Sequence, residues 1–193
     1  MRPMPAPPRQ RGMILLVTLL VMVILLVSSV ALLRSFDTSL LLSGNLAFKR
    51  DLVNQGERGM AKAIAAFNNG ALSDDSAREA NIGTINYSAS ILSSNAKGIP
   101  EVLLSTSKYS AAGMAGTDIS DNGVTIRTVI DRQCASAGEF SISTCVYVPG
   151  YSDTGGTSWL KKAGSEYVPV YRVSVRVDGP RNTQVFLQTT LVR

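Results

Sequence analysis

Hydrophobic residues are concentrated near one end of the chain, in a block that predicts a membrane-spanning helix. Residues 13–33 carry no charge, and their only polar side chains are Thr18, Ser28 and Ser29. A helix of this length extends about 30 Å, which is the thickness of the hydrocarbon core of a bilayer. Lipid offers the backbone no hydrogen-bond partners, so a segment that enters the membrane here must be helical. The three hydroxyls can bond to carbonyls of their own helix.

Helical periodicity continues beyond this block. Apolar or small residues recur at steps of three or four, while charged residues occupy the other faces. The sequence Asn68-Asn69-Gly70 is typical of a helix end. We therefore predict one helix over 13–68, with a transmembrane part at 13–33 and an amphipathic part at 34–68. The recurring positions are Phe48, Leu52, Gly56, Met60, Ala63 and Phe67.

The last third of the chain shows the period-two alternation of β-strands. The clearest example follows Tyr171, where valines at every second position alternate with polar residues. Residues 178–182 read DGPRN, a strong turn signal, so the segments on either side are expected to form a hairpin. The predicted strands cover 124–130, 144–148, 167–177 and 183–192.

Between the helix and the strands, residues 71–123 are weakly patterned and rich in Ser, Asn, Ala and Gly. We expect them to form a partly helical excursion over the head. A long helix followed by antiparallel strands belongs to the α+β class. The predicted fold is a long N-terminal helix, its first half transmembrane, packed on a C-terminal antiparallel β-sheet head at 69–193.

The net charge of +5 reflects the N-terminal flank more than the head. Three arginines precede the apolar block, and without the first twelve residues 16 basic and 14 acidic residues remain, a net charge of +2. A nearly neutral head gives no reason to assign a nucleic-acid partner. Arg9 and Arg11 instead favour a cytoplasmic N-terminus by the positive-inside rule.

Three interpretations of the apolar block compete: a secretory signal peptide, a plain single-pass anchor, and a leader that is cut before the block. A secretory signal has a shorter apolar core and small residues at its cleavage site. Here the block is long, and Arg34-Ser35-Phe36-Asp37 follows it. The third interpretation fits the flanks best, because the proline-rich, basic segment 1–12 ends in Gly12 directly before the block.

A basic leader that ends in glycine and runs at once into about twenty apolar residues resembles the type III signal of type IV pilins. The chain also resembles minor pilins of the PilX class, within the pilin and pseudopilin superfamily. The similar stretches are SGNLAFKR at 43–50, NQGERG at 54–59 and the hairpin YRVSVRVDGPRNTQVFLQTTLV at 171–192. The resemblance implies a pilin-like fold and a non-catalytic pilus subunit, in which prepilin peptidase cuts between Gly12 and Met13 and the new Met13 amine is methylated.

The same resemblance implies where the protein works and with what. It places the chain in the inner membrane as a single-pass protein with a periplasmic head, and afterwards in the pilus at the cell surface. The implied partners are prepilin peptidase, inner-membrane lipid, other minor pilins and the major pilin, with a tip adhesin as a further candidate. The implied roles are pilus assembly, adhesion and twitching motility. The helix residues singled out for assembly are Val17, Gly44, Asn45 and Glu57.

Two positions depart from the usual pilin pattern. Met13 stands where most pilins have Phe, and Val17, the fifth residue after the cut, stands where most have Glu. A subunit that starts a filament has no preceding amine to pair with, so it can omit a carboxylate that is costly in lipid. Val17 therefore implies a position at or near the filament tip, with drift within the family as the alternative. A minor pseudopilin of a type II secretion system, and a membrane-anchored periplasmic binding module that never polymerises, also stay open.

The chemistry-bearing residues point away from catalysis. The chain has no histidine, which excludes Ser-His-Asp and Cys-His catalysis and histidine metal sites. We assign no catalytic residue, metal or cofactor. Cys134 and Cys145 enclose ten residues, and a disulfide between them is permitted in the periplasm, where it would add about 3 kcal/mol. Two free buried thiols are the alternative.

Two loops are candidate contact surfaces. A disulfide near the C-terminus is typical of pilin heads, and it would present residues 135–144 to a partner. Residues 155–162 combine glycines with Trp159 and two lysines. That segment is either an exposed contact loop or a place where Trp159 packs onto the head.

Overall fold

The chain divides into two compact units, Met1–Phe48 and Lys49–Arg193. The computed structural model describes residues 12–114, 116–151 and 163–193, without the side chains at 151 and 163–166. The predicted leader 1–12, apart from Gly12, and the predicted Trp159 loop lie outside the described residues. The second unit begins within the long helix and not after it, because the end of that helix packs on the sheet.

The long helix, α1, spans Met13–Asn69 and continues without interruption through Gly44. It extends one residue past the predicted end at Asn68. Gly70 follows it, and a Cβ there would lie 2.7 Å from the Cα of Ala66. A glycine is therefore needed where the chain turns back across the last turn of the helix, and the amide of Leu72 donates to the carbonyl of Ala66 at 3.0 Å.

Six strands among the described residues form one sheet. The central strand, β5, pairs antiparallel with β3, with β4 and with β6. On its other side, β3 pairs with β1 and β2. The strands are β1 (Tyr87–Ser88), β2 (Ile119–Asp121), β3 (Val124–Arg132), β4 (Tyr147–Tyr151), β5 (Ala163–Asp178) and β6 (Gln184–Val192). The α+β class with a long N-terminal helix is thus confirmed, as is the β5–β6 hairpin.

The sheet is mixed, so the prediction of an antiparallel sheet was wrong. Strand β1 runs parallel to β3, with Tyr87 opposite Ile130. The residue directly before β1, Asn86, has a left-handed backbone (φ 56°) and is fully buried. The Asn86 Nδ2 donates to the hydroxyl of Tyr109 at 2.7 Å and to the carbonyl of Thr128 at 2.9 Å. A strand of two residues has no alternation for a sequence pattern to detect.

The strand predicted at 144–148 lies later in the chain, at Tyr147–Tyr151. The amides of Thr144 and Cys145 both donate to the carbonyl of Ser141, at 3.2 and 3.0 Å. These bonds place the two residues in a turn, and the strand begins only after that turn.

One face of the sheet packs against the end of α1 at very close range. A Cβ built on Gly56 would lie 2.6 Å from Cδ1 of Leu187, and one on Gly59 would lie 2.6 Å from the hydroxyl of Thr128. Leu52, Ala63 and Phe67 are buried along the same stripe. The two glycines, unfavourable in an isolated helix, are the positions that allow the helix backbone to approach the strands.

The opposite face of the sheet is covered by residues from the weakly patterned segment 71–123. This segment contains two short helices, α2 (Glu101–Leu104) and α3 (Thr106–Ala111). Leu103, Tyr109 and Met114 form a second apolar cluster with Val129 of β3. The predicted excursion over the head is therefore a packed layer, so the sheet lies between two layers.

Buried arginines connect that layer to the strands. Arg172 of β5 donates through Nε and Nη2 to the two carboxylate oxygens of Asp131 in β3, at 2.9 and 2.6 Å. Its Nη1 also donates to the hydroxyl of Ser94 at 2.8 Å, and its Nη2 to the carbonyl of Leu92 at 3.0 Å. Arg176 donates to the carbonyl of Leu103 at 2.7 Å. Polar residues of β5 thus bind backbone groups that the layer would otherwise leave unpaired.

Replacing Gly59 with alanine should destabilise the second unit. The new methyl group would meet Thr128, Ile126 and Val175 at 2.6–3.1 Å. We expect Gly59→Ala to lower the free energy of unfolding by about 1–3 kcal/mol, although alanine is the better helix former. Gly44→Ala is the matched control, because no atom lies within 4 Å of its added Cβ. Urea unfolding of the full chain in detergent, monitored by circular dichroism, measures the unfolding free energy of both variants. If Gly59→Ala is as stable as the wild type, this account of the packing is contradicted.

Removing the charge of Asp131 should cost more than removing an exposed carboxylate. Asp131 is 0% exposed, so Asp131→Asn leaves the buried Arg172 guanidinium uncompensated. We expect a loss of about 3–5 kcal/mol in unfolding free energy. The control Glu101→Gln breaks the exposed ion pair with Lys108, and it should change the unfolding free energy by less than about 0.5 kcal/mol. Similar losses in the two variants would mean that the Arg172 pair does not secure the layer.

Candidate functional site

The apolar part of α1 is the first candidate site. Among the described residues, α1 is the one helix long and apolar enough to cross a membrane. Every side chain from residue 13 to 33 is exposed. Its hydroxyls are satisfied internally: Thr18 donates to the carbonyl of Leu15 at 3.0 Å, and Ser28 and Ser29 donate to carbonyls one turn earlier at 2.8 Å. This surface can therefore contact lipid or other apolar helices without leaving a polar group unpaired.

The predicted processing junction lies at the start of this helix. Gly12 has a φ of +110°, and Met13 is the first helical residue. No atom lies within 4 Å of a Cβ built on Gly12. Packing therefore does not require a glycine at this position, but the backbone conformation disfavours any residue that has a side chain.

The predicted assembly residues do not form one cluster. Val17, Gly44 and Asn45 are exposed in the first unit, and Val17 and Gly44 are about 40 Å apart along the helix axis. Glu57 is exposed in the second unit.

The second candidate site is the disulfide loop. Cys134 and Cys145 are bonded, which decides between the two states that the sequence left open. The amide of Ala135 donates to the carbonyl of Thr144 at 2.8 Å at the base of the loop. The amide of Gly138 donates to the carbonyl of Glu79 at 2.8 Å, and the guanidinium of Arg132 donates to the carbonyl of Gly138. The loop is thus tied to the head at its base and near its middle.

Beside this loop lies a cavity of about 450 Å³. Arg132 and Tyr171, which lie opposite each other on β3 and β5, are both buried at its floor. Burial raises the pKa of the Tyr171 hydroxyl, so it stays a neutral hydrogen-bond donor. Phe140 of the disulfide loop and Tyr167 of β5 line its wall. We refer to it as the loop cavity.

Sequence reasoning did not predict the loop cavity. Its lining comes from segments far apart in the chain, including Asp75, Arg132 and Arg193. The one sequence signal was Arg132, a charged residue two positions before a cysteine and at the end of an apolar strand. No group of three or more acidic or cysteine side chains suited to a metal ion occurs in the part of the chain that the structure describes.

Removing the disulfide should destabilise the head. The bond closes a short loop, and the chain-entropy model gives about 2–4 kcal/mol for such a constraint. We expect the double variant Cys134→Ser and Cys145→Ser to lose about this much unfolding free energy, measured in urea on the full chain. Wild-type protein unfolded with a reductant should match the variant. A variant as stable as the oxidised wild type would show that the contacts of Gly138 hold the loop without the bond.

No protein-family model matches the chain, and no curated protein or solved structure is significantly similar to it.

Proposed function

We propose that this protein is a minor pilin, a non-catalytic subunit that helps to start a type IV pilus and sits at or near the filament tip. In this proposal the apolar part of α1 first anchors the chain in the inner membrane and later packs among the helices of other pilins. The second unit is the periplasmic head. Prepilin peptidase would remove residues 1–12 and release Met13 as the new N-terminus.

One observation carries the proposal: α1 begins at Met13, directly after Gly12, and its first 21 residues are all uncharged and exposed. A secretory signal would not need to extend into a helix of 57 residues that ends within a folded unit. A plain anchor explains this glycine only through its backbone conformation (φ +110°), because no neighbouring atom limits a side chain at the junction. A peptidase that recognises glycine before an apolar helix accounts for both features.

The join between helix and head also supports an assembly role. Gly56 and Gly59 bring the end of α1 into direct contact with the strands, so the helix end is part of the head's core. A force applied to the helix would therefore reach the folded sheet through packed side chains. A subunit that is pulled out of a membrane and held in a filament needs such a connection.

The tip position is supported by Val17. A glutamate at this place in the lipid-facing helix would need a partner amine from a preceding subunit, and valine needs none. An exposed apolar side chain here suits a subunit with no pilin ahead of it. The proposal accordingly expects few copies of this protein per filament.

The test is processing at Gly12. In cells with a prepilin peptidase, the wild-type protein should lack residues 1–12 and carry a methylated Met13 amine, as read by mass spectrometry. Gly12→Phe should retain the leader and be absent from sheared surface fibres. Gly44→Phe is the matched control, an exposed glycine with open space around its Cβ, and it should be cleaved normally.

Other results would select other functions. A wild-type protein that retains Met1 with or without the peptidase would be a membrane-anchored binding module. Cleavage beyond Leu33 would identify a secretory signal. Normal processing without incorporation into pili, together with loss of type II secretion on deletion, would identify a pseudopilin.

A further inference from the structure

Four arginine side chains are buried in the described part of the second unit, and three of them have a carboxylate partner. Arg78 pairs with Asp75, Arg172 with Asp131, and Arg176 with Asp178, at N–O distances of 2.6–2.8 Å. The fourth is Arg132. A buried charge is costly unless an opposite charge or a set of hydrogen bonds compensates it, so the three pairs follow the usual rule.

Arg132 departs from that rule. It is 2% exposed, and its guanidinium donates to the carbonyl of Gly138. No carboxylate lies within ion-pair distance of it among the described residues. Its Nε has no hydrogen-bond partner there either. A buried cation without a carboxylate partner among the described residues therefore lines the loop cavity, where an anionic group from outside would supply that partner.

The wall of the loop cavity includes two aromatic side chains, Tyr167 and Phe140. Tyr167 is 44% exposed, and its ring packs edge-on against Tyr147 with centroids 4.8 Å apart. Phe140 belongs to the disulfide loop, which the Gly138 contacts hold against the head. The two rings offer a ligand an apolar surface.

The rim of the cavity limits how much negative charge a ligand can carry. Asp75 and Glu79 both line it, and the Asp75 side chain is 95% exposed although it binds Arg78. Arg193 also lines the rim, and its guanidinium donates to the side chain of Asn68 at 3.0 Å. A ligand with several negative charges would meet the two carboxylates, whereas hydroxyl groups could donate to them.

We propose that the loop cavity binds an acidic sugar, a saccharide unit that carries one carboxylate. The carboxylate binds the Arg132 guanidinium, the apolar face of the ring lies on Tyr167 and Phe140, and the hydroxyls donate to Glu79 and Asp75. The cavity volume of about 450 Å³ is within the usual range for small-ligand sites. The inference concerns the head alone and stands whether or not the chain forms pili.

The experiment uses the full chain in detergent and sodium glucuronate as the probe, with saturation-transfer NMR and a ligand titration as readouts. Glucuronate should bind saturably. Glucose, which lacks the carboxylate, should bind at least about tenfold more weakly, because a charge-assisted hydrogen bond is lost. Raising the salt concentration should weaken glucuronate binding and leave glucose binding unchanged.

Two variants locate the site. Arg132→Gln should weaken glucuronate binding at least about tenfold. Tyr167→Ala, at a half-exposed position, should weaken binding of glucuronate and glucose alike, since it removes the apolar wall. Arg181→Gln is the matched control, an exposed arginine in the β5–β6 turn that does not line the cavity, and it should bind as the wild type does.

Circular dichroism in urea checks that each variant is folded, and Tyr167→Ala keeps the test decisive if Arg132→Gln does not fold. The proposal is overturned if glucuronate does not bind, if glucose binds equally well, or if neither cavity variant weakens binding. Tighter binding of a short peptide with a single aspartate would also overturn it, in favour of a protein ligand. None of these results bears on cleavage at Gly12, so this inference and the pilin proposal fail separately.

Discussion

Arg172 and Asp131 join two neighbouring strands through a bidentate ion pair that is almost fully removed from water. The same two side chains also bind Leu92 and Ser94, which belong to the layer over the sheet. Strand pairing and layer docking therefore share one buried charge pair. Breaking either half leaves a charge in the interior, so the arrangement is specific even if its net contribution to stability is small.

On the other face of the sheet, the packing is limited by the space between the helix and the strands. Gly56 and Gly59 remove side chains from the helix where the strands come closest, and Leu187 and Thr128 occupy that space. Buried arginine hydrogen bonds beside an apolar cluster on one face, and close glycine-mediated packing on the other, give the head its two-sided core. The end of the helix is therefore part of the core of the second unit.

The two proposals rest on different units of the chain. The first unit offers a long apolar surface with its hydroxyls satisfied internally, which suits lipid and packed helices equally. The second unit offers a disulfide-closed loop beside a cavity with an unpaired arginine among the described residues. The proposed pilin role rests on the first of these features and the proposed sugar site on the second. A tip subunit with a ligand-binding head would combine them.

The sequence alone determined the elements whose signal is local. The apolar block, the helical stripe that ends near Asn69 and the β5–β6 hairpin all follow from periodicities of 3.6 or 2 over neighbouring residues. It left the state of Cys134 and Cys145 open, because spacing alone does not bring two thiols together.

Only the tertiary structure decided which surfaces are inside. Arg172, Ser174 and Arg176 alternate with valines as a solvent-facing set would, yet all three are buried under the layer from 71–123. Their partners are distant in sequence: Arg172 is 41 positions from Asp131, and Arg176 is 73 from Leu103. The parallel strand β1 and the loop cavity likewise arise from contacts between remote segments. Local patterns record which side chains share a face, but only the packed chain determines what covers that face.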